Sequence, residues 1–342
     1  AEAAGKVGGY YMTGKRFEFY PDKIVVYDGT QTKCAAKKPD YHMSADVAEL
    51  YPGDKLVLTN VKFWIKNKVI FTRKHYEVDV GKPMQRNFPT MGYDSDDGLW
   101  LEQTYEHDLA PHVTASANLY VTTNKGWRSH YDLGWSNSGA SAVLTYGVFD
   151  DGEDGSIKKM PSLILGYGQR VGKTPITYIL YSEYGRWYAD GIHSNHWKYG
   201  VSVAHDTIHF HGYRIDLAGG YSVTRETYDG SRVQGFNASA YVTKPFNERF
   251  AAYIGGVYTK STKANTLFEF DQEDYSKILQ AGLSYRLDEH NRIGLGTKYA
   301  VDPHKWTDVD YYWFHDLHCS QVILRYRSKQ DSWKIKWEFT PW

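Results

Sequence analysis

The chain has 342 residues, and its 40 Lys and Arg residues balance its 40 Asp and Glu residues. A neutral chain lacks the basic surface that binding to nucleic acid requires, so nucleic-acid binding is excluded. Its 30 Tyr, 11 Trp and 31 Gly residues favour β-structure and its turns, and Tyr and Trp also suit a membrane–water interface. No run approaches ~18 consecutive apolar residues, which excludes a transmembrane helix but leaves a β-barrel, whose strands alternate lipid-facing and lumen-facing side chains.

Residues 1–80 predict a small β-domain made of short strands. Apolar stretches in this region alternate with turn sequences such as Pro52-Gly53, whose residues favour tight turns. The chain starts at Ala1 with no initiator Met, which is the expected result of signal-peptide removal. Prolines and glycines in residues 81–97 predict a linker. The predicted strands of the domain cover residues 17–20, 23–27, 41–47, 55–59 and 61–71.

From residue 98 to residue 342, apolar and polar residues alternate in one segment after another. In one such segment Trp197, Tyr199 and Val201 share a face of the predicted strand, opposite Lys198. Turn sequences separate these segments every ~10–15 residues and give about fifteen candidate strands. Because a barrel with both ends on the same side of a membrane needs an even number of strands, the pattern predicts about 14–16 strands.

A soluble β-sandwich or propeller would share the alternation and the turns. Two features favour a membrane barrel instead. The first is that the apolar faces combine small and aromatic residues, with aromatics near strand ends as in an interfacial girdle. The second is that the last predicted strand is rich in aromatic residues and ends at Trp342. The two cysteines, Cys34 and Cys319, are either one disulfide formed in an oxidising compartment or two unrelated thiols.

Residues 32–46, which contain Cys34, together with residues 50–55 and 63–71, resemble the end of the periplasmic domain of a known family. That family is the lipopolysaccharide-assembly protein LptD, also called the OstA family. Cys319 lies two strands from the end of the chain, where the family carries the cysteine that bonds back to its periplasmic domain. Further similarity covers residues 98–126, which resemble the family's first barrel hairpin, and residues 197–228.

Together with the alternation, the resemblance implies an all-β fold. Its main part is a transmembrane antiparallel β-barrel of about 14–16 strands at residues 98–342, which follows a small N-terminal periplasmic β-domain at residues 1–80. The implied location is the cell outer membrane, with the N-terminal domain in the periplasm and a Cys34–Cys319 disulfide. The chain departs from the family in its smaller barrel, in the missing upstream half of the periplasmic domain, and in Lys68 and Arg73, which stand where the family has prolines.

The resemblance also implies that the barrel inserts lipopolysaccharide or another glycolipid into the outer membrane. In this hypothesis the acyl chains lie against the interior of the N-terminal domain. The lipid then leaves sideways between a first strand near residues 99–107 and a last strand at residues 332–339, where pairing must be weak. The implied partners are the glycolipid, outer-membrane lipids, periplasmic lipid-transport proteins and a plug lipoprotein. The lipid-contacting residues of the domain interior are then Val57, Val61, Phe63 and Ile65.

A passive diffusion pore, similar to a porin, is a second hypothesis, because a barrel of about 14–16 strands has room for a water-filled lumen. A structural barrel of the cell envelope is a third. In a pore, basic side chains on the lumen-facing side of the strands would attract anions. The alternation assigns this lumen-facing position to Lys198, Arg214, Arg286, Lys334 and Lys336.

No residue pattern predicts an enzyme, a cofactor or a metal site. Residues 166–174 end like a phosphate-binding loop, but Tyr167 stands where the first glycine of that loop is required. His209 and His211 share a strand face without a third metal ligand, and the acidic run at residues 150–154 lacks the spacing of a calcium loop. We therefore expect no catalytic residue, no cofactor and no metal ion.

Overall fold

The computed structural model describes residues 3–7, 10–32, 34, 38–79, 89–150, 155–264, 268 and 275–339. All regular elements among these residues are β-strands, which confirms the all-β prediction. No helix in the described part of the chain is long and apolar enough to cross a membrane. The chain divides into two compact units, the first comprising Ala1–Thr90, His315–Val322 and Trp337–Trp342 and the second comprising Met91–Phe314 and Ile323–Lys336.

The first unit contains a seven-stranded antiparallel sheet with the strand order β1-β2-β4-β5-β6-β7, in which β3 also pairs with β4. The sequence predicts one strand over residues 61–71, but the structure divides it. Lys66, with φ of 51°, starts a turn that separates β6 from β7. The strands are β1 (Ala3–Val7), β2 (Tyr10–Gly14), β3 (Arg16–Phe19), β4 (Ile24–Thr32), β5 (Tyr41–Leu50), β6 (Lys55–Ile65) and β7 (Lys68–Asp79).

The apolar face of this sheet changes phase in the middle of β6. Leu56 and Leu58 are buried in the core before the change, and Val61 and Phe63 are buried after it. Asn60 lies between the two pairs with φ of 53°, and its side-chain amide donates to Asp46 Oδ2 at 2.8 Å. The left-handed residue interrupts the period of two, so even positions face the core before it and odd positions face the core after it.

The remaining strands form a closed antiparallel barrel. Strands β11 and β12 both pair with β10, and strands β16 and β17 both pair with β18, so the described residues make sixteen barrel strands. This number agrees with the prediction of 14–16. The strands are β8 (Thr90–Asp94), β9 (Gly98–Ala110), β10 (Val113–Thr122), β11 (Gly126–Trp127), β12 (His130–Asn137), β13 (Ala140–Asp150), β14 (Ser156–Arg170), β15 (Ile176–Ala189), β16 (Ile192–His205), β17 (Ile208–Phe210), β18 (Tyr213–Glu226), β19 (Arg232–Pro245), β20 (Phe250–Ser261), β21 (Lys277–Arg286), β22 (Asn291–Ala300), β23 (Lys305–Asp316), β24 (Ser320–Arg327) and β25 (Ser332–Phe339).

The barrel has an apolar outer face and a polar inner face. In β16, Trp197 is 49% exposed, whereas the neighbouring His196 is fully buried. Residues that pair across neighbouring strands lie on the same face of the barrel. The exposed Leu144, for example, pairs with the exposed Leu163. Exposed apolar side chains alternating with buried polar ones reverse the pattern of a water-soluble protein and match strands that face lipid.

The barrel closes between β25 and β8, at a position that the sequence assigns to the linker. The predicted linker covers residues 81–97 and the predicted barrel starts at residue 98, whereas the structure has a barrel strand at Thr90–Asp94. This strand contains a glycine and follows a proline, which is why it resembles a linker in sequence. Residues 80–88 lie outside the described residues.

Candidate functional site

The four residues predicted to contact lipid do not share one face of the N-terminal sheet. Val61 and Phe63 are 1% and 2% exposed and belong to the apolar core of the unit, while Ile65 is half-buried beside them. Val57 lies opposite Glu49 on one side and Glu77 on the other, on the face away from Leu56 and Leu58. The phase change at Asn60 therefore separates Val57 from the other three, and contact of any of them with lipid stays a prediction.

A disulfide joins Cys34 to Cys319, with 5.2 Å between the two Cα atoms and 285 residues between them in sequence. Both cysteines are at most 1% exposed, and they pack with Tyr41 and Phe63 in an apolar cluster of the first unit. Cys34 N–H donates to Thr32 Oγ1 at 3.0 Å. The bond that the resemblance implies is thus present and surrounded by apolar side chains.

Aromatic rings extend this cluster along the sheet. Phe63 stacks on Phe71 with 5.1 Å between ring centroids, and Trp64 stacks on His42 at 5.6 Å on the neighbouring strand. Burial lowers the pKa of His42, which favours its neutral form. The Trp64 indole also donates to Ser44 Oγ at 2.8 Å. The rings therefore lie on both faces of the sheet, with Phe63 and Phe71 on the face of the disulfide cluster and His42 and Trp64 on the other.

The five basic residues predicted to face the lumen lie on the side of their strands opposite the exposed apolar residues, and their contact with a lumen stays a prediction. Each alternates along its strand with exposed apolar residues of the outer face, as Lys334 does with Trp333 and Ile335. Arg214 Nε lies 3.0 Å from Asp216 Oδ2, and Lys334 Nζ lies 3.6 Å from Asp94 Oδ2. The inner-face positions are those of Lys198, Arg214, Arg286, Lys334 and Lys336.

Acidic residues of the inner face, which the sequence analysis does not single out, lie on the other side of the closure. Asn118 donates to Glu102 Oε1 at 2.9 Å, and Thr114 donates to Asp108 Oδ1 at 2.7 Å. These residues belong to β9 and β10, which follow β8 around the ring, whereas the basic residues of β21, β22, β24 and β25 precede it. The closure thus separates an acidic wall from a wall in which basic residues outnumber acidic ones. The acidic wall carries Asp94, Glu102, Glu106, Asp108 and Asp132, and the basic wall carries Arg286, Arg292, Lys298, Arg325, Arg327, Lys334 and Lys336. The basic wall also contains Asp308 and Asp310 of β23, which pair with Lys298, Arg325 and Arg327.

A cluster of buried side chains fills part of the inner face of β14–β18. The Trp187 and His196 rings stack with 3.5 Å between centroids, and Trp187 Nε1 donates to Ser162 Oγ at 3.0 Å. His196 Nδ1 lies 2.5 Å from Glu226 Oε1. Among the described residues no group of three or more His, Cys, Asp or Glu side chains could hold a metal ion. The buried histidine of this cluster packs on Trp187 and lies within hydrogen-bond distance of the Glu226 carboxylate.

Glycine at position 92 allows the two strands of the closure to approach each other. Ser95 N–H donates to the Trp333 carbonyl at 3.1 Å, and Trp333 N–H donates to Ser95 Oγ at 3.0 Å. A Cβ on Gly92 would clash with the Ile335 carbonyl and would lie 2.5 Å from Trp100 Cζ2. Since Trp100 is only 5% exposed, its ring has little room to move.

We expect Gly92→Ala to destabilise the barrel by about 2 kcal/mol, because the methyl group overpacks the closure. The measurement is the temperature at which the folded form, which migrates faster on a gel, converts to the unfolded form. Gly256→Ala is the matched control, since its Cβ would come no closer than 3.4 Å to a neighbouring atom. Equal transition temperatures for the two variants would contradict the expectation.

No protein-family model and no curated protein matches the chain. Its solved structural neighbours include a triple mutant of the Rh. blastica porin, with 11% identity, a TM-score of 0.41, and coverage of 73% of this chain and 97% of that chain. BamA from Haemophilus ducreyi lacking POTRA domains 1–3 is 10% identical, with a TM-score of 0.47 and coverage of 74% and 69%. OccK11 (OpdR) from Pseudomonas aeruginosa is 10% identical, with a TM-score of 0.41 and coverage of 96% and 93%. At these identities the likeness concerns barrel architecture alone.

Proposed function

We propose that the chain is an outer-membrane barrel that inserts lipopolysaccharide or another glycolipid into the outer membrane, with its N-terminal sheet in the periplasm. The Cys34–Cys319 disulfide carries the proposal. It joins the two positions at which the resemblance to the LptD family is most specific, and an oxidising compartment such as the periplasm lets it form. A diffusion pore has no evident need for this bond, which fastens the N-terminal sheet to the segment His315–Val322 of the same unit.

The outer face of the barrel supports the membrane location. Large apolar side chains of this face stay exposed on strand after strand, which in water would cost about 25 cal/mol per Å² of apolar surface. A bilayer removes that cost, and a closed barrel leaves no ladder hydrogen bond open inside it. Ile254, Leu99 and Leu279 are examples, with 61%, 63% and 52% exposure.

The chemistry of the two units matches the two parts of a glycolipid. Acyl chains need an apolar surface, which the exposed Val69, Ile70 and Phe71 offer on β7 of the N-terminal sheet, beside the buried Phe63. A phosphorylated headgroup needs charged donors, which the basic wall offers in excess of its own carboxylates. The wall includes Arg325, which pairs with Asp310, and Lys334, which lies near Asp94.

The proposed lateral exit is the closure between β25 and β8. It replaces the exit that the sequence analysis assigns to residues 99–107, because β8 lies between β9 and β25 in the ring. With five residues in β8, this closure has few ladder hydrogen bonds to open. A short pairing is the feature that sideways passage of a lipid requires.

Cross-linking the closure tests the proposal. Antiparallel pairing from Ser95 and Trp333 brings Tyr93 opposite Ile335 on the outer face, so Tyr93→Cys with Ile335→Cys can be joined by a bifunctional maleimide. We expect the cross-link to stop the appearance of newly made glycolipid at the cell surface. The control pair, Leu144→Cys with Leu163→Cys, joins β13 to β14 on the same face and should leave export unchanged. Full export with the closure cross-linked would refute the proposal.

A diffusion pore is the second candidate, and the charged inner face favours it. Steady conductance in a planar bilayer is its expected signature, with Lys334→Glu plus Lys336→Glu shifting ion selectivity towards cations. The cross-linked closure separates the two functions, because it blocks lateral exit of a lipid but leaves the lumen open. Conductance that survives the cross-link, with no effect on glycolipid export, would favour the pore.

A further inference from the structure

Two arginines lie directly opposite each other on the barrel wall, where β18 turns into β19. Arg225 is the residue before the last of β18, Arg232 is the first residue of β19, and the register pairs the two. Both side chains are exposed. Like charges at directly opposite positions of two strands destabilise a sheet, so this pair has an energetic cost unless a negative charge lies between its members.

The register assigns both arginines to the outer face of the barrel. Trp197 of β16 is 49% exposed and pairs with Arg225, and Tyr184 of β15 is 55% exposed and pairs with Trp197. The rings of Tyr184 and Trp197 contact each other edge to face, with 6.0 Å between centroids. The two aromatic residues and the two arginines thus form one row across four strands. Because Trp and Tyr favour the membrane–water interface, this row lies at the level of lipid headgroups.

No carboxylate of the described residues neutralises the two arginines. Neither guanidinium forms an ion pair or lies over an aromatic ring within that part of the chain. Glu226, the next residue after Arg225, lies on the inner face, where its Oε1 is 2.5 Å from His196 Nδ1. Asp229, in the turn between β18 and β19, accepts a hydrogen bond from the Ser231 N–H at 2.9 Å. Both positive charges therefore face outward without a counter-charge from the protein.

The spacing of the pair suits one phosphate group. A single arginine at a membrane interface extends its guanidinium into water, and such a side chain is not a site. Directly opposite residues differ, because their Cβ atoms are only about 4.5–5.5 Å apart. Two guanidinium groups that start from such positions can both donate to the oxygens of one phosphate, each through parallel N–H···O bonds. A phosphate between them replaces the repulsion with charge-assisted hydrogen bonds.

Exposed apolar side chains continue along the same two strands, away from the arginines. Tyr221 pairs with Phe236 four residues from the arginine pair, and the two side chains are 44% and 42% exposed. Leu217, eight residues from the pair, is 39% exposed. The row next to the arginines holds Val223 and Gln234, so the apolar surface is continuous on the β18 side. These rows extend about 13 Å and about 27 Å from the arginines, and half of a bilayer's hydrocarbon core is about 15 Å thick, so they provide an apolar wall for the full length of acyl chains.

We propose that Arg225 and Arg232 bind the phosphate of a lipid headgroup, with the acyl chains of that lipid along the apolar rows of β18 and β19. The proposal rests on the membrane location in the proposed function, but not on transport or on the closure between β25 and β8. It gives the barrel one lipid at a fixed place on its wall. Because the lipid neutralises a like-charge pair, its binding also stabilises the β18–β19 hairpin.

The test uses the purified full chain in detergent with diphosphorylated lipid A as the probe, and native mass spectrometry counts the bound lipid. We expect Arg225→Gln with Arg232→Gln to weaken binding at least about tenfold, because the loss of even one charge-assisted hydrogen bond to phosphate has an effect of that size. Lys158→Gln is the matched control. Lys158 lies at the same end of the strands, and its paired residues, Val148 and Tyr188, carry no charge.

Urea-induced unfolding provides a second measurement. A ligand that binds only the folded state stabilises it, so adding lipid A should raise the unfolding midpoint of wild type and leave that of the double Gln variant unchanged. In lipid-free detergent the double variant should be at least as stable as wild type, because it removes the like-charge pair. This comparison also shows that the variant is folded.

Four outcomes would overturn the proposal. The first is equal lipid A binding by wild type and by the double Gln variant, and the second is an equal loss of binding in Lys158→Gln. The third is equal binding of lipid A after phosphatase treatment, because the phosphate would then contribute nothing. The fourth is saturable binding of inorganic phosphate with no retention of lipid A, which would make the arginines a site for the free ion. Since no arm measures export, a failed export experiment leaves this test unaffected, and failure here leaves the export proposal standing.

Discussion

Removing the Cys34–Cys319 bond by Cys34→Ala with Cys319→Ala is expected to lower the free energy of unfolding by about 5 kcal/mol. The bond closes a loop of 285 residues and so removes a large conformational entropy from the unfolded chain. Alanine avoids burying a hydroxyl group, because both cysteines are almost completely buried in an apolar cluster. The measurement is the midpoint of urea-induced unfolding of the refolded protein in detergent.

Reducing agent provides the control for this prediction. Wild type treated with dithiothreitol in urea should unfold at the same midpoint as the double alanine variant, and the variant itself should not respond to the reagent. Removal of two thiols alone costs much less than removal of the cross-link, so the two contributions are separable. Identical midpoints for oxidised wild type and the variant would show that the bond does not stabilise the fold.

The barrel could be predicted from sequence because its pattern is local. Strands such as β16 carry their outer and inner faces as a simple alternation, and the turns between strands carry Gly, Asn and Asp at regular distances. Each strand needs only its own residues to identify its lipid-facing side. The strands from β9 onward follow from the same local rule, and so does the alternation of Lys198 with the exposed Trp197 and Tyr199.

Features that depend on tertiary contacts could not be predicted in this way. Val57 lies on the opposite face from Val61 and Phe63 because Asn60 adopts a left-handed conformation, supported by a hydrogen bond from its amide to Asp46 on the neighbouring strand. The sequence does not predict strand β8, because a glycine at position 92 indicates a turn or linker when it is considered alone. The glycine is required there because a Cβ would clash with the ring of Trp100, eight residues later. The pairing of Cys34 with Cys319 came from the family resemblance, since no local pattern links residues so distant in sequence.

The distribution of charge around the closure also depends on which strands are neighbours in the barrel. Lys334 and Asp94 are 240 residues apart in sequence, yet the closure brings Nζ of one within 3.6 Å of Oδ2 of the other. When each strand is considered alone, neither the acidic residues of β9 nor the basic residues of β24 and β25 indicate where they lie around the barrel. Only the order of strands around the ring shows that the closure has opposite charge on its two sides. A phosphorylated headgroup near the closure would therefore be attracted to the β25 side and repelled from the β9 side.

Trp187→Ala is expected to destabilise the barrel by about 3–5 kcal/mol, the second largest effect. Trp187 is 1% exposed, stacks on His196 and donates to Ser162, and it packs with Ile157 and Phe268 in a buried cluster. Its removal leaves a cavity and also takes away the ring that stacks on His196, whose Nδ1 contacts Glu226. Urea-induced unfolding in detergent measures the loss.

Trp197→Ala is the matched control for Trp187→Ala, because Trp197 lies on the adjacent strand but on the outer face, where it is 49% exposed. We expect it to cost well under half as much, since truncation there opens no cavity. Trp187→Phe should fall between the two: it keeps an aromatic ring against His196 but loses the hydrogen bond to Ser162, worth about 1 kcal/mol. A loss for Trp187→Ala no larger than that for Trp197→Ala would mean that the inner cluster does not stabilise the wall. In that case the lumen beside β14–β18 would be open to water, which the pore hypothesis requires and a packed inner wall opposes.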